Sequence, residues 1–381
     1  MIGVALLGST GSIGRQTLEV IDAHPDRFEV RALATGQWNA TFVEQQSAWP
    51  RASVWCAAGA PTPHPTGWAE GGLAELAIAD GVELVVVATT GMHALPAVLA
   101  ALRAGRRVAL ANKETLVTGG HLVERVLDEL GGDPLDLLRP IDSEHSAIWQ
   151  CLLGEEIASV ERLILTASGG PFRELPAAGL ESVTPEQALA HPTWRMGAKV
   201  TIDSATLVNK AFEAIEAKWL YRVPYARISA VIHPQSVVHS LVEFRDGSFK
   251  AQLGLPDMRL PIQYALTYPQ RLPSPARHAS PSAWGELGFS ELVAGRFPAY
   301  DAVRGAAAAG GNRGTILNAA DEVAVAAFLA GAVPFPRIAS LLADAVERWG
   351  TNSEPELEAI AELDAEVRTT IARDLGLDGV A

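Results

Sequence analysis

An α/β chain, with a doubly wound parallel sheet first, a central α+β segment next and a small C-terminal helical bundle last, is what three features of the sequence predict. Continuous apolar runs alternate with helical periodicity through the first third of the chain. The first run ends in a glycine turn, Gly8-Ser9-Thr10-Gly11-Ser12-Ile13-Gly14, which makes the leading sheet Rossmann-like. From residue 300 onward the pattern is helical and poor in strand formers.

Composition sets limits on function. The 381 residues are 48% hydrophobic, enough for two or three packed domains. A formal net charge of -14 excludes a nucleic-acid binder or an anionic-membrane binder, since both need a basic footprint. An anionic ligand must then be held by local lysines, N–H groups or a metal. Two cysteines, Cys56 and Cys151, offer no disulfide framework and fit a reducing, cytoplasmic compartment. There is no internal repeat.

The opening MIGVALLGSTG lacks a basic region and reads as a first strand over 2–7, not as a signal sequence. Its glycine turn leads into a helical pattern over 16–23. Glycines there permit a tight turn and let the backbone approach a pyrophosphate sitting on the helix N-terminus. The spacing is G-x-x-G-x-x-G, which a glycine turn in another α/β protein would also show. A second strand over 28–34 ends Ala34-Thr35-Gly36-Gln37. It has no carboxylate to read the ribose of NAD, a slight tilt towards NADPH, and no cation to grip a 2'-phosphate. Runs at 84–88 and 107–111 continue the sheet. The uncharged stretch 84–102 is broken by Thr89, Thr90, Gly91, His93 and Pro96, so it reads as strand, turn and helix, not as a membrane span. Asn112-Lys113-Glu114 follows a strand end, where such sheets bind ligands, although a polar strand-to-helix turn looks the same.

Further on, Pro140 favours an extended chain, in which Asp142 and Glu144 point the same way and can share an ion. The alternative is that Asp142 or Ser143 caps a helix over 146–153. With Glu213 as a third carboxylate, the set is all hard oxygen and suits Mg2+ or Mn2+ better than Zn2+. A strand over 163–166 leads into Ala167-Ser168-Gly169-Gly170-Pro171-Phe172, a turn that resembles a small anion nest.

The stretch 191–219 concentrates polar chemistry. Read with period 3.6, Val208, Ala211, Phe212, Ile215 and Trp219 form an apolar face, and Thr206, Asn209, Lys210, Glu213 and Glu216 the opposite one. Asp203 or Ser204 stands at the expected N-cap, so the helix N-terminus faces Asn209 and Lys210 and suits a phosphate. An ordinary i,i+3 ion pair on a solvated face reads the same way. Before it, His191-Pro192-Thr193-Trp194-Arg195-Met196-Gly197 places an aromatic in a polar loop, as in a lid. Strands over 228–232 and 237–244 flank His233-Pro234-Gln235-Ser236, and Asp246-Gly247 closes a hairpin onto 249–253. His239, on one strand face, reads by default as a structural histidine. The Pro-, Ser- and Ala-rich stretch 273–298 reads as a linker, and helices are expected over 302–309, 315–330, 336–349 and 355–375.

In order, GSTGSIG, LANKE, DSEH, SGGPF, HPTWRMG, TIDSATLVNKAFEAIEA, HPQSVVHS and PDMRLPI, with ILNAADEVAVAAFL behind them, resemble the 1-deoxy-D-xylulose 5-phosphate reductoisomerase family. The resemblance implies an NADPH-binding domain over 1–141, a catalytic domain over 142–272 with a flap at 188–198, a linker over 273–299 and a helical domain over 300–381. It implies NADPH-dependent rearrangement and reduction of 1-deoxy-D-xylulose 5-phosphate to 2-C-methyl-D-erythritol 4-phosphate, by a homodimer. Asp142, Glu144 and Glu213 would hold Mg2+ or Mn2+, and Ser143 and Lys113 would contact the sugar hydroxyls. Ser168, Ser204, Asn209 and Lys210 would clamp the phosphate beside His191, with Trp194 and Met196 in the flap. Thr10, Gly11, Ser12, Ile13, Gly36, Gln37, Asn112, Glu114 and Gly197 would line the NADPH site. Lys113, Glu144, Glu213 and His239 are the catalytic candidates, with the role of His239 open.

One departure stands out: where many relatives have Gly-Lys-Asn after the second strand, this chain has Gly36-Gln37-Trp38 and then Asn39, so a lysine that would favour NADPH over NADH is lost. Two rivals account for less. An NADP-dependent dehydrogenase of a small aldehyde leaves the carboxylates unexplained, and an acylating one needs a thiolate that Cys151, inside a helical pattern, does not offer. A metal-dependent phosphosugar isomerase or lyase leaves GSTGSIG idle.

Overall fold

The computed structural model describes residues 1–59, 64–65, 67–194 and 196–377. In chain order its strands are β1 (Ile2–Leu7), β2 (Phe28–Thr35), β3 (Ser53–Cys56), β4 (Leu84–Val87), β5 (Arg107–Leu110), β6 (Leu138–Pro140), β7 (Val160–Ala167), β8 (Ile228–Ile232), β9 (Val238–Phe244), β10 (Phe249–Leu253) and β11 (Ser290–Glu291). Its first α-helices are α1 (Ser12–Asp22), α2 (Ala40–Ala48), α3 (Gly72–Ile78), α4 (Leu95–Arg103), α5 (Glu114–Leu130), α6 (Pro134–Leu137) and α7 (Ser143–Leu152). There follow α8 (Pro185–Leu189), α9 (Ala198–Thr206), α10 (Val208–Tyr221), α11 (Arg259–Thr267), α12 (Pro298–Ala309), α13 (Arg313–Leu329), α14 (Arg337–Trp349) and α15 (Leu357–Asp374). Two compact units result. The first holds Met1–Thr115, Leu122–Gln150 and Asp257–His278, and the second Leu116–His121, Cys151–Pro256 and Ala279–Ala381.

In the first unit the sheet runs β3-β2-β1-β4-β5-β6 with every pair parallel, the order of a Rossmann fold. Strands covered on both faces lose the alternation of a half-exposed strand, which is why IGVALL and LVVV read as unbroken apolar runs. Val4, Leu6, Leu33, Leu84, Val86 and Ala109 form the centre of that core. β6 carries Pro140 at the edge of the sheet, where the missing N–H breaks no ladder. Helix α11 returns to this unit from far down the chain: Ile262, Ala265 and Leu266 join the core, and Arg139 Nη1 donates to the Ala265 carbonyl at 2.9 Å. The sequence reading had this segment in the central part of the chain.

The glycine turn is built by contact. Gly8 has φ +93°, and a Cβ there would lie 2.4 Å from the Ala88 carbonyl oxygen at the end of β4. A Cβ on Gly14 would lie 2.3 Å from the Gly8 carbonyl oxygen, so α1 is pressed against the turn. Gly11 meets nothing closer than 3.4 Å and caps α1 without a side-chain bond.

The second unit contains a mixed sheet in the order β10-β9-β7-β8-β11, with only β7 and β8 parallel among its pairs. The expected hairpin joins β9 to β10, and β10 forms an exposed edge bearing Phe249 and Leu253. The C-terminal helices form where expected, but not around a core of their own. Val303, Ile316, Phe328 and Leu342 share one cluster with Ile202, Val208, Phe212 and Ile215 of α9 and α10.

The stretch read as a linker is fastened. β11 pairs with β8, the His233 ring stacks on Phe289 and bonds the Gly288 carbonyl at 2.8 Å, and Arg296 donates to the carbonyls of Phe172 and Leu175. Among the described residues, no helix is long and apolar enough to cross a membrane.

The Gly8 geometry makes a prediction. Gly8→Ala forces a methyl into backbone at a positive φ and should lower stability by about 1–3 kcal/mol. An unchanged urea midpoint would show that the turn is looser than described.

Candidate active site

The first unit gathers its exposed candidates at the C-terminal ends of β1 and β2. Gly11, Ser12, Gly36 and Gln37 are exposed there, and Thr10 and Ile13 half-buried. Thr10 Oγ1 lies 2.7 Å from Thr35 Oγ1, which ties the glycine turn to the end of β2. Gly11 caps α1 without a side-chain bond, and a helix N-terminus of this kind has the local chemistry of an anion site. Asn39, which follows Gln37-Trp38, accepts from Phe42 N at 3.0 Å and caps α2.

Asn112 is occupied within the fold. Its amide nitrogen donates to the Gly91 carbonyl at 2.8 Å and to Glu114 at 3.0 Å, and its Oδ1 accepts from Thr115 N at 3.0 Å. The side chain therefore knits the ends of β4 and β5 together.

Asp142 and Glu144 do not lie in an extended segment. α7 opens at Ser143, so Glu144 belongs to its first turn, and Ser146 N donates to the Asp142 carbonyl at 2.8 Å. The helix starts three residues earlier than expected. Because Asp142 still stands outside it, the two carboxylates come within 4.8 Å of each other without the strand alternation that the sequence suggested. Lys113 Nζ reaches Asp142 at 3.0 Å, and Ser143 Oγ reaches Glu144 at 2.5 Å.

In the second unit, His191 is a meeting point. Its Nε2 lies 3.0 Å from Ser168 Oγ and 3.1 Å from Ser204 Oγ. Its Nδ1 accepts from the backbone N–H groups of Thr193 and Trp194 at 3.1 and 2.9 Å. An accepting Nδ1 carries no proton, so the neutral ring holds its hydrogen on Nε2, facing the two hydroxyls. Burial pushes the pKa of His191 down and favours the same neutral form. The ring folds the start of the 191–197 loop onto the SGG turn. A Cβ on Gly170 would lie 2.7 Å from the Ser204 carbonyl oxygen, and this close approach sets Ser168 beside Ser204.

Helix geometry here differs from the sequence reading. Gly197, not Asp203 or Ser204, is the N-cap of α9, and Asp203 and Ser204 lie near the end of that helix. Leu207, at φ 60° and ψ 14°, then breaks the chain into α10. Sequence gave no signal of this, because a leucine seldom takes the left-handed conformation. Asn209 and Lys210 consequently open α10, and both grip Glu213, at 2.6 Å to Oε1 and 2.5 Å to Oε2. The face they share is no solvated surface: Lys210 is 3% exposed, Glu213 0% and Glu216 3%. Buried charges need partners, and these carry them.

The loop reaches over the sheet. Thr193 Oγ1 donates to the Pro234 carbonyl at 3.4 Å, and the Trp194 ring lies 6.3 Å from that of His239, which is buried on β9. Met196 is half-buried and Gly197 exposed, while Arg195 lies outside the described residues. Cys151 is buried in α7, and burial pushes its thiol up to about 11, so it is no thiolate at neutral pH.

A titration tests the His191 arrangement. The folded pKa lies below the ordinary 6.5, so the unfolded chain takes up the proton first as pH falls. This group should leave stability unaffected above that value and reduce it below, down to the folded pKa. The His191 ring resonance should show a midpoint below the free-imidazole value, and a midpoint above it would contradict the assigned tautomer.

Three family models match the chain in succession: 1-deoxy-D-xylulose 5-phosphate reductoisomerase over residues 4–120, its C-terminal domain over 138–221, and the DXP reductoisomerase C-terminal domain over 253–370. The 1-deoxy-D-xylulose 5-phosphate reductoisomerase of Pelotomaculum thermopropionicum is 48% identical over 390 residues, covering 98% of this chain and 100% of the relative. That of Bacillus subtilis is 45% identical, covering 97% and 98%. Among solved structures, a DOX-P reductoisomerase in complex with NADPH, fosmidomycin and magnesium is 35% identical, with a TM-score of 0.89 and 99% of each chain covered. The Zymomonas mobilis reductoisomerase in complex with NADPH, also 35% identical, has a TM-score of 0.85, with 98% of this chain and 99% of that one covered. Matched in order by the models of a single family and similar to its members along nearly its whole length, the chain belongs to the 1-deoxy-D-xylulose 5-phosphate reductoisomerase family.

Proposed function

We infer that the chain converts 1-deoxy-D-xylulose 5-phosphate into 2-C-methyl-D-erythritol 4-phosphate for isoprenoid precursors, by retro-aldol and aldol rearrangement followed by reduction with NADPH. The observation that carries this reading is the convergence of Ser168 and Ser204 on the His191 ring, in a chain whose net charge otherwise repels anions. A grip of local donors can hold a phosphate there. Ser168, Ser204, Asn209 and Lys210 take its oxygens, and His191 donates from Nε2. Binding energy gained on the phosphate, away from the reacting carbons, is available to close 188–198, with Trp194 and Met196, over the sugar and exclude water.

Asp142, Glu144 and Glu213 are assigned to Mg2+ or Mn2+, since carboxylate oxygens are the ligands that such hard cations prefer. A divalent ion bound there supplies Lewis-acid charge at the ketone and hydroxyl oxygens of the substrate. Lys113 and Ser143 orient the sugar hydroxyls, and His239, behind Trp194, forms the wall of the site and completes the catalytic set with Lys113, Glu144 and Glu213.

The dinucleotide is assigned to Thr10, Gly11, Ser12, Ile13, Gly36, Gln37, Glu114 and Gly197, with the pyrophosphate on the open end of α1. Asn112 is assigned to the same site, and its bonded side chain also shapes the end of β5. NADPH supplies the hydride for the last step. The domain assignment follows these roles: nucleotide binding in 1–141, with 257–278 packed into the same unit, and catalysis in 142–256. A homodimer in the cytoplasm is the assembly we propose, and the exposed β10 edge with Phe249 and Leu253 is a surface that a second copy can cover.

Glu213→Gln should lower turnover by roughly a hundredfold or more and leave NADPH affinity within about twofold. Chelation should abolish oxidation of NADPH by deoxyxylulose phosphate, and Mg2+ or Mn2+ should restore it; full activity in chelator removes the metal from the scheme. Cys151→Ala should keep turnover within about twofold. A collapse there would revive an acylating dehydrogenase.

A further inference from the structure

The ILNAADEVAVAAFL stretch has no task in the scheme above, yet α13 buries its polar side chains. Asn318 and Asp321, three residues apart on one face, have no exposure at all. Lys199, in the first turn of α9, places Nζ 2.6 Å from Asp321 and 2.7 Å from Asp203. Its ammonium also stands 5.1 Å from the centre of the Phe212 ring. On the same side of α13, Arg368 of α15 bonds Glu322 at 2.8 Å and Asp364 at 2.5 Å.

One ammonium between two buried carboxylates is a poor source of net stability, because desolvation offsets the attraction. It is a good way to fix geometry. An ammonium within ion-pair distance of both carboxylates ties the rotation and height of α9 to α13. What α9 carries makes that setting matter. Its N-cap, Gly197, ends the 191–197 loop, its Ser204 supplies one of the two hydroxyls on His191, and its backbone at Ser204 is the surface against which Gly170 has no room to spare. A small rotation of α9 separates Ser204 from Ser168.

We propose that Lys199, held between Asp203 and Asp321, is a positioning residue for the anion grip, so that the C-terminal helix α13 helps to set phosphate affinity. The inference rests on the reading of Ser168, His191 and Ser204 as a phosphate site.

The test uses the full-length protein and inorganic phosphate, followed through the His191 ring resonance, alongside steady-state kinetics. Asp321→Asn and Lys199→Gln should each raise the half-saturating phosphate concentration, and the KM for the sugar phosphate, about tenfold. Lys199→Arg, which keeps a cation between the carboxylates, should recover most of the affinity. Unchanged phosphate affinity in both variants overturns the proposal, and so does a wild-type protein whose His191 ignores phosphate. An equal loss of phosphate affinity in Lys199→Arg, or failure of both variants to fold, makes the triad a stability element and also overturns it. Normal phosphate behaviour at His191 in a wild-type protein that does not turn over deoxyxylulose phosphate counts against the assigned reaction alone, and the phosphate comparison still decides the role of Lys199.

Discussion

The second unit depends on a single backbone event, the left-handed turn at Leu207. A continuous helix through 198–221 would carry Ser204 and Asn209 apart by ordinary helical rotation. The break lets α9 end where it touches the SGG turn, and lets α10 restart with Asn209 and Lys210 in its first turn and Glu213 one turn on. A buried leucine in a conformation that normally costs of order 1–3 kcal/mol is tolerated because both helices are clamped from outside. Leu207 packs with Ala167, Ile232 and Phe297, and the flanking helices bury their apolar faces against the C-terminal ones.

Around that break the polar groups are buried and paired. Glu213 has no exposure and gives one oxygen to an amide and the other to an ammonium. His191 is fixed in one tautomer by two backbone donors and presents its proton to two hydroxyls. Pairing of this kind holds the side chains in place. With an overall negative charge, the chain offers an anion local, desolvated donors in place of a broad basic surface.

How much of this was legible in the sequence follows from how local each signal is. Strands buried on both faces announce themselves, so IGVALL, LVVV and the glycine turn were readable, and so were the hairpin at Asp246-Gly247 and the four C-terminal helices. Candidate side chains were readable by type: Ser168, His191 and Ser204 come together, as do Asn209, Lys210 and Glu213. Helix starts were not. At 142–146 Asp142 could be read either as a cap or as an ion ligand in an extended chain, and at 198–208 the decisive residue is a leucine, which has no turn signature. Long-range partners were illegible as well. Nothing local says that Lys199 meets Asp321, that Arg296 holds the carbonyls near Phe172, or that the Pro-rich stretch adds an edge strand at Ser290.

The return of α11 has a consequence for how the chain is made. The parallel sheet lies within the first 140 residues, but part of its hydrophobic cover, Ile262, Ala265 and Leu266, is encoded more than a hundred positions later. A nascent polypeptide emerging from the ribosome therefore holds an unfinished sheet while the strands and helices of the other unit are translated. The unit is complete only once His278 has left the exit tunnel. Evolution cannot transplant the first unit as one contiguous cassette, because its last helix lies downstream of residues 151–256 of the other.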